Sequence, residues 1–458
     1  MCSSTAKNKL SIKNVIQEYN QQRVSSLNES IQLLETIYQY QTDQNILFGN
    51  IPVPTLLRPH FLSTYQNAIL EEVTHVIMNM LEKIITLYFE KNMFHQIIQL
   101  NSYEKELAAI DPGFKRCIMN ARLDAFLNDT QLSFIEFNCD SPAGHGYSEL
   151  QCQIFHNSKL LDTIKQSFHL LWINRRKRML AALLEAYKQF GGNQSNPHIV
   201  ITDWHDVKTI HEFYILKDYF ESQGFPTTVA DPRELTIVKN KLCIHDKPID
   251  IIYRRVIVKE IVSKQDEVKD FLSACKNKLV CVVNSFRSKV ISNKSTLAIL
   301  TDPQFDHLFT KQENEIKYKH IPWTRNLSPG NVLYENKQVD LFEYAGANKD
   351  KFVIKPADGY GGIGVYIGKY TPEAQWKDCF EMALKDPYVI QEYVDIPEEE
   401  FPVINENATI TIENRKVNLN PFAIAGQYAG CLSRISQSPV INVSAGGGMV
   451  PTFLLNEE

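Results

Sequence analysis

Residues 64–90, TYQNAILEEVTHVIMNMLEKIITLYFE, repeat apolar positions at spacings of three and four with no Pro or Gly to interrupt them. That pattern predicts one long amphipathic helix, about 40 Å from end to end, with a Met and Ile stripe that belongs in a core. The rest of 8–110 also reads as mostly helical. After Asp111-Pro112-Gly113 the period changes, and QLSFIEFNC (131–139) reads as a strand. A second helical block, 149–190, ends at GGNQSNP (191–197), whose Gly, Asn, Ser and Pro favour an exposed loop. Beyond it come a buried-strand pattern, HIVITD (198–203), a helix over 207–223, the strand-like PTTVAD (226–231), and a hairpin-like KNKLCIHDKPIDIIYRRVIV (239–258). This order predicts a small α/β lobe with parallel pairing. From 280 onward the pattern gives CVVNSF, a helix at 294–300 and a strand-rich remainder. The organisation expected is a helical region at 1–114, mixed strands and helices at 115–190, the small lobe at 191–280 and a final region at 281–458.

The composition is that of a globular protein, with 44% hydrophobic and 22% charged residues in 458. Lys plus Arg number 48 against 53 Asp plus Glu, so no global charge points to nucleic acid, and any anion site must be local. No leader-like apolar core and no run long enough to span a bilayer appears, which leads to the expectation of a cytoplasmic protein with no membrane partner. The nine cysteines and twelve histidines show no C-x-x-C, H-E-x-x-H or G-x-S-x-G arrangement, so zinc and serine-hydrolase chemistry begin without support.

The strongest local signal is FVIKPADGYGGIGVYIGKY (352–370), with Gly359, Gly361, Gly362 and Gly364 in six positions. Glycines without Cβ atoms let backbone N–H groups approach phosphate oxygens closely. A strand-like run follows the loop where a dinucleotide fingerprint needs a helix, and no Gly-Lys-Ser/Thr closes it as a P-loop would require. Lys355 precedes the loop and would set a point charge on a phosphate. Lys294, at the head of the helix in NKSTLAILTD (293–302), offers a second cation. Downstream, DPYVIQEYVD (386–395) ends in Gln391, Glu392, Tyr393 and Val394, a strand that would hinge over adenine through its backbone.

Lys294, then Lys355-Pro-x2-Gly-x-Gly-Gly-x-Gly, then Gln391-Glu392-Tyr393-Val394 resembles the nucleotide half of an ATP-grasp enzyme. The metal-binding Glu-x-Asn pair that ordinarily follows is missing after residue 395. It stands early instead, in Arg122-x-Asp124, Glu136-x-Asn138 and Asp140-Ser141-Pro142-Ala-Gly, as in the circularly permuted ATP-grasp family, of which glutathionylspermidine synthase is the best-known member. The resemblance covers most of 115–455, including IIYRR (251–255), IPWTR (321–325) and CLSRISQSPVINVSAGGG (431–448). It implies an α/β (α+β) fold in which 115–190 carries the permuted magnesium strands, 191–280 is a Rossmann-like lobe, and 281–458 holds the ATP-binding lobes. The residues agree with it: Asp124, Glu136 and Asn138 are hard oxygen ligands suited to Mg²⁺, and Glu136 and Asn138 share one face of a strand. Ile135, Phe137 and Cys139 take the other face, while Phe134 breaks the alternation by sharing the face of Glu136. Arg122 shares the face of Asp124 and would clamp the transferring phosphoryl.

The resemblance implies an ATP-dependent carboxylate–amine ligase acting through an acyl-phosphate and releasing ADP, with ATP and two Mg²⁺ as cofactors and a carboxylate and an amine as substrates. Arg434 is the expected stabiliser of the acyl-phosphate, with Asn442 and Gly446–Gly448 in the same cavity. Glu392 and Glu399 are expected at adenine and ribose. Ser141, Arg254, Arg255 and Arg287 are candidates for the acid's carboxylate. The alternatives are an ATP-dependent phosphotransferase, and a non-catalytic nucleotide-binding protein that docks a partner on its helical N-terminal region.

Overall fold

In a computed structural model of the protein, the described residues are 2–359, 361–441 and 447–456. The long helix forms over Thr64–Glu90, opened by a capping box in which the Ser63 hydroxyl accepts from Gln66 N–H and the Gln66 side chain returns to Ser63 N–H. Its buried stripe, including Leu70, Val73, Ile77, Leu81 and Ile84, packs in one core with Leu123, Ala125, Phe134 and Phe137. Each such side chain contributes about 1.5–3 kcal/mol by leaving water, so the helix is a solid backing for the strands at 120–138. The N-terminal stretch is not wholly helical. Strand His60–Ser63 pairs in parallel with Thr452–Asn456, which also pairs antiparallel with His169–Leu171. Among the described residues, no helix is long and apolar enough to cross a membrane.

The small lobe holds a four-stranded parallel sheet. Ile199–Thr202 lies at its centre, with Thr227–Ala230 on one side and Ile251–Arg254 then Cys281–Val283 on the other. The predicted hairpin at 239–258 divides. Lys241–Ile244 and Lys247–Pro248 join Thr236–Val238 in a small antiparallel sheet, whereas Ile251–Arg254 enters the parallel one. The physical reason is that Ile251–Arg254 is buried along its whole length, as a strand covered on both faces must be.

Two further sheets frame a cleft. The first runs Thr324–Asn326, Tyr388–Glu392, Phe352–Pro356, Tyr366–Ile367, all antiparallel. In the second, Asn120–Asn128 and Gln131–Asn138 form a hairpin whose first strand pairs with Ile410–Ile424, nearly three hundred residues later, and this in turn pairs with Gln427–Ser436. The early hairpin thus completes a sheet built otherwise from the C-terminal part of the chain.

Candidate functional site

The hairpin sets Arg122 opposite Asn138 and Asp124 opposite Glu136, and the next pair is Ala125 with Phe134, leaving Ile135 as the extra residue of a β-bulge. This corrects the expected alternation. The bulge turns Phe134 into the core and points Ile135, with Glu136 and Asn138, into the cleft, a re-aiming typical of bulges beside functional sites. Asp124 accepts from Arg122 Nε at 3.3 Å, from Asn138 Nδ2 at 3.1 Å and from an Arg434 Nη2 that reaches it from two strands away. Burial pushes the Asp124 carboxyl up, but the Arg434 and Arg122 guanidiniums outweigh it and hold the carboxyl below its ordinary value. Arg434 Nε also donates to Asn418 Oδ1 at 3.1 Å, and Asn418 Nδ2 to Ala125 O at 2.8 Å. Asn418 was missed in the sequence, where the available signal was an Asn in the apolar run VNLNPF.

Across the cleft, Lys355 Nζ donates to Gln391 Oε1 at 2.8 Å and to Ile135 O at 3.2 Å. Burial lowers the Lys355 ammonium to about 8, with Glu136 opposing and Lys294 adding to the fall. Gln391 is itself fixed by Thr324 Oγ1 at 3.0 Å, so its side chain positions the lysine. Lys294 Nζ lies 3.2 Å from Glu136 Oε1 and donates to Gly359 O at 2.6 Å. Glu392 accepts from Tyr334 Oη at 3.2 Å, and Tyr393 N–H donates to Lys351 O at 2.7 Å. With Val394 these residues edge a cavity of about 130 Å³ whose walls are Phe126, Ile135, Val353, Val365 and Ile367. Apolar walls with a few convergent polar groups suit a flat heterocycle. The loop arches over it as a hairpin cover, with Gly361, Gly362 and Gly364 at φ of +73°, +75° and +72°. A Cβ on Gly362 would stand 2.9 Å from Val440 Cγ1, and one on Gly364 2.9 Å from Pro356 Cγ, so only glycine lets the loop settle there.

A second cavity, about 730 Å³, opens toward the small lobe and shares Arg122, Glu136, Asn138, Gly361 and Arg434 with the first. Ser141 and Arg255 line it, as do Asp203, Tyr147, Thr209 and Lys289, which sequence reasoning did not select. The strand-end aspartate of HIVITD was the readable signal for Asp203. Arg254 and Arg255 are not free to receive a substrate carboxylate. Arg254 is fully buried, 2.7 Å from Asp140 Oδ1, and donates to Val256 O. Arg255 donates to Pro142 O and lies 3.6 Å from Glu212 Oε2, whose other oxygen accepts from Gly144 and Gly146 N–H. Both arginines pin the 140–146 turn against the small lobe, because a buried charge must be paired. Arg287 stacks over Phe89, 4.9 Å from the ring centroid, and lines neither cavity. Glu399 is also absent from the nucleotide cleft: its carboxylate engages Arg58 at 2.7 Å and His60 at 2.9 Å. Asn442 and Gly446 lie outside the described residues, while Gly448 begins the strand Gly448–Val450.

Among the described residues, no group of three or more His, Cys, Asp or Glu gathers to hold a metal alone. Two carboxylates and an amide carbonyl at Asp124, Glu136 and Asn138 nevertheless fit a hard cation that takes its other ligands from phosphates and water.

The family model for circularly permuted ATP-grasp type 2 matches residues 90–436. A protein of Frankia alni named as a putative glutamate–cysteine ligase is 33% identical over 120 residues, which cover 24% of this chain and 13% of that protein. An uncharacterized protein of Mycobacterium leprae is 21% identical over 382 residues, 78% of this chain and 63% of its own. This chain therefore spans less than two thirds of the length of either. The solved structure of a glutathione synthetase-like effector from Globodera pallida superposes with a TM-score of 0.62 at 10% identity, covering 94% of this chain and 98% of that one, which shows a shared fold. With that match running through both the early hairpin and the glycine loop, the chain belongs to the circularly permuted ATP-grasp family, type 2.

Proposed function

We infer that this protein is an ATP-dependent carboxylate–amine ligase releasing ADP and phosphate. The observation that carries the reading is that the nucleotide cleft and the larger cavity meet at Arg122, Glu136, Asn138 and Arg434. A phosphoryl group leaving ATP and a carboxylate waiting in the larger cavity would come together at that junction. The Frankia protein named as a putative glutamate–cysteine ligase supports the same class of reaction over the short segment it shares.

In the first step a carboxylate oxygen attacks the γ-phosphorus, the bond to the ADP oxygen breaks, and an acyl-phosphate forms. In the second a neutral amine nitrogen attacks the acyl carbon, the bond from that carbon to the phosphate oxygen breaks, the nitrogen gives up one proton to the departing phosphate, and an amide remains. The chain performs little covalent chemistry itself and acts by positioning two anions and neutralising the charge spread over the transferring group. Lys355 and Lys294 would hold the ATP phosphates, the loop at Gly359–Gly364 would cover them, and Gln391 to Val394 with Glu392 would edge the base. Arg122 would clamp the γ-phosphoryl bidentately. Arg434 would stabilise the acyl-phosphate and the oxyanion formed as the amine adds. Asp124, Glu136 and Asn138 would hold Mg²⁺, which supplies charge neutralisation at the phosphates when bound. The eight cysteines from Cys117 to Cys431 are free and buried, which supports a reducing compartment such as the cytoplasm.

The test is a screen of acid and amine pools with ATP and Mg²⁺, reading ADP release together with mass detection of a condensed product. A stable phosphorylated acid with no amine dependence would favour a phosphotransferase instead.

A further inference from the structure

In the parallel sheet of the small lobe, the strand that follows Ile199–Thr202 in the chain, Thr227–Ala230, lies on one side of it, and the next to enter the sheet, Ile251–Arg254, lies on the other. At such a switch in strand order the connections leave in opposite directions and a crevice opens beyond the carboxyl ends of the two strands. Thr202 and Arg254 are register partners there, and Arg255 N–H donates to Thr202 O at 2.9 Å. The residues standing immediately past the two strand ends are therefore Asp203 and Arg255, and both line the larger cavity.

Asp203 is only 9% exposed. Its carboxylate accepts one hydrogen bond, from the N–H of Trp204 at 2.9 Å, and among the described residues it belongs to no ion pair. Lys208, on the same wall, stands over the Phe48 ring at 5.8 Å from its centroid, and three other neighbouring cations are engaged elsewhere. Arg255 holds Pro142 O and Glu212, Lys259 faces Asp358 at 3.8 Å, and Lys289 sits between Asp358 and Glu104 at 2.6 and 3.2 Å. Glu260, the other acid at this wall, accepts from Trp204 Nε1 at 2.9 Å. A carboxylate taken out of water without a cation is costly. Burial accordingly raises the Asp203 carboxyl to about 7, with Arg255, the Trp204 N–H and Arg254 pulling it down and Glu260 adding to the rise. At the end of the cavity that meets the nucleotide, the guanidiniums of Arg122 and Arg434 share the single carboxylate of Asp124, two cations to one acid. The small-lobe end presents the opposite: a buried acid with an open valence.

We propose that Asp203 anchors the ammonium group of the amine co-substrate, making the strand-switch end of the larger cavity the amine subsite. The proposal rests on the ligase reading, and it assigns the two ends of one cavity by charge: anionic acyl-phosphate against Arg122 and Arg434, cationic amine against Asp203. The ligand class is a primary ammonium, held by one charge-assisted hydrogen bond; to react it gives one proton to the Asp203 carboxylate and leaves the anchor as the free amine, and the second proton it loses on forming the amide departs with the phosphate.

The test compares acceptors of different charge in wild type, Asp203→Asn and Asp203→Glu, with pooled amino, hydroxy and dicarboxylic acids as donors. Hydroxylamine, uncharged near neutral pH, reports acyl-phosphate as a hydroxamate; glycine, ethanolamine and 1,3-diaminopropane are the cationic acceptors. In Asp203→Asn the ratio of cationic-amine coupling to hydroxamate formation should drop about ten- to a hundredfold, the size of one hydrogen bond to a charged group, and the drop should appear in the KM for the amine. Asp203→Glu should recover part of it. An unchanged ratio in Asp203→Asn, or the same loss with both kinds of acceptor in both variants, overturns the anchor. Absence of any hydroxamate from wild type overturns the ligase reading first and the anchor with it.

Discussion

Replacing Glu399 with Gln separates a structural role from a nucleotide-binding one. Arg58 is fully buried, stacked 3.9 Å over the ring of Phe401, and donates to Glu399 Oε2 at 2.7 Å, Glu400 O at 3.1 Å and Pro59 O at 2.9 Å. His60 Nδ1 lies 2.9 Å from the second Glu399 oxygen. Glutamine keeps one oxygen for one of these contacts but loses the charge that compensates Arg58. A hydrogen bond to a charged partner is worth about 1.5–3 kcal/mol; two carbonyls still serve Arg58, and Glu399 is 28% exposed to screening water, so the expected loss is about 2 kcal/mol. Urea unfolding at neutral pH would read it as a lower midpoint with an unchanged slope. Burial pushes the Glu399 carboxyl up, but His60 and Arg58 outweigh it and hold it far below its ordinary 4.5. A lowered folded-state pKa gives stability that is present above the unfolded value and is lost as pH falls, so the gap between wild type and variant should persist near neutrality and narrow below about 4.5. ATP affinity should not change. Weakened ATP binding with an unchanged unfolding midpoint would instead place Glu399 at the ribose.

Asp124→Asn and Arg434→Ala should each cut turnover by about a hundred- to a thousandfold while far-UV circular dichroism stays that of wild type, because each removes charge from the phosphoryl-transfer junction; wild-type rates from either would contradict its role. Lys355→Met should weaken ATP binding about ten- to a hundredfold, measured by calorimetry, as expected for loss of a buried charge-assisted bond to phosphate. Gly364→Ala forces an L side chain to φ +72° against Pro356, at about 1–2 kcal/mol, and should raise the KM for ATP while lowering folding stability by no more than that strain.

Much of this arrangement could be read from residue order. The shared face of Arg122 and Asp124, the glycine hairpin and the lysine before it follow from strand period and from what glycine permits, both local properties. The parallel lobe likewise follows from apolar runs separated by a helix. What escaped reading depends on distant partners. The bulge at Ile135 exists because Phe134 packs into the core under the helix Thr64–Glu90, and strict alternation cannot foresee it. Arg254, Arg255 and Glu399 looked like substrate groups because a sequence does not show that Asp140, Glu212 and Arg58 wait for them across the fold. Asn418 reads as an ordinary strand residue until Arg434 is seen to lean on it.

If the hairpin at 120–138 and the loop at 359–364 serve one ATP-consuming ligase centre, the nucleotide product must be ADP. Phosphorus NMR of a turnover mixture should show ADP and orthophosphate appearing together, in step with the condensed product, and both slowed about a hundred- to a thousandfold in Asp124→Asn. AMP and pyrophosphate would rule out an acyl-phosphate ligase.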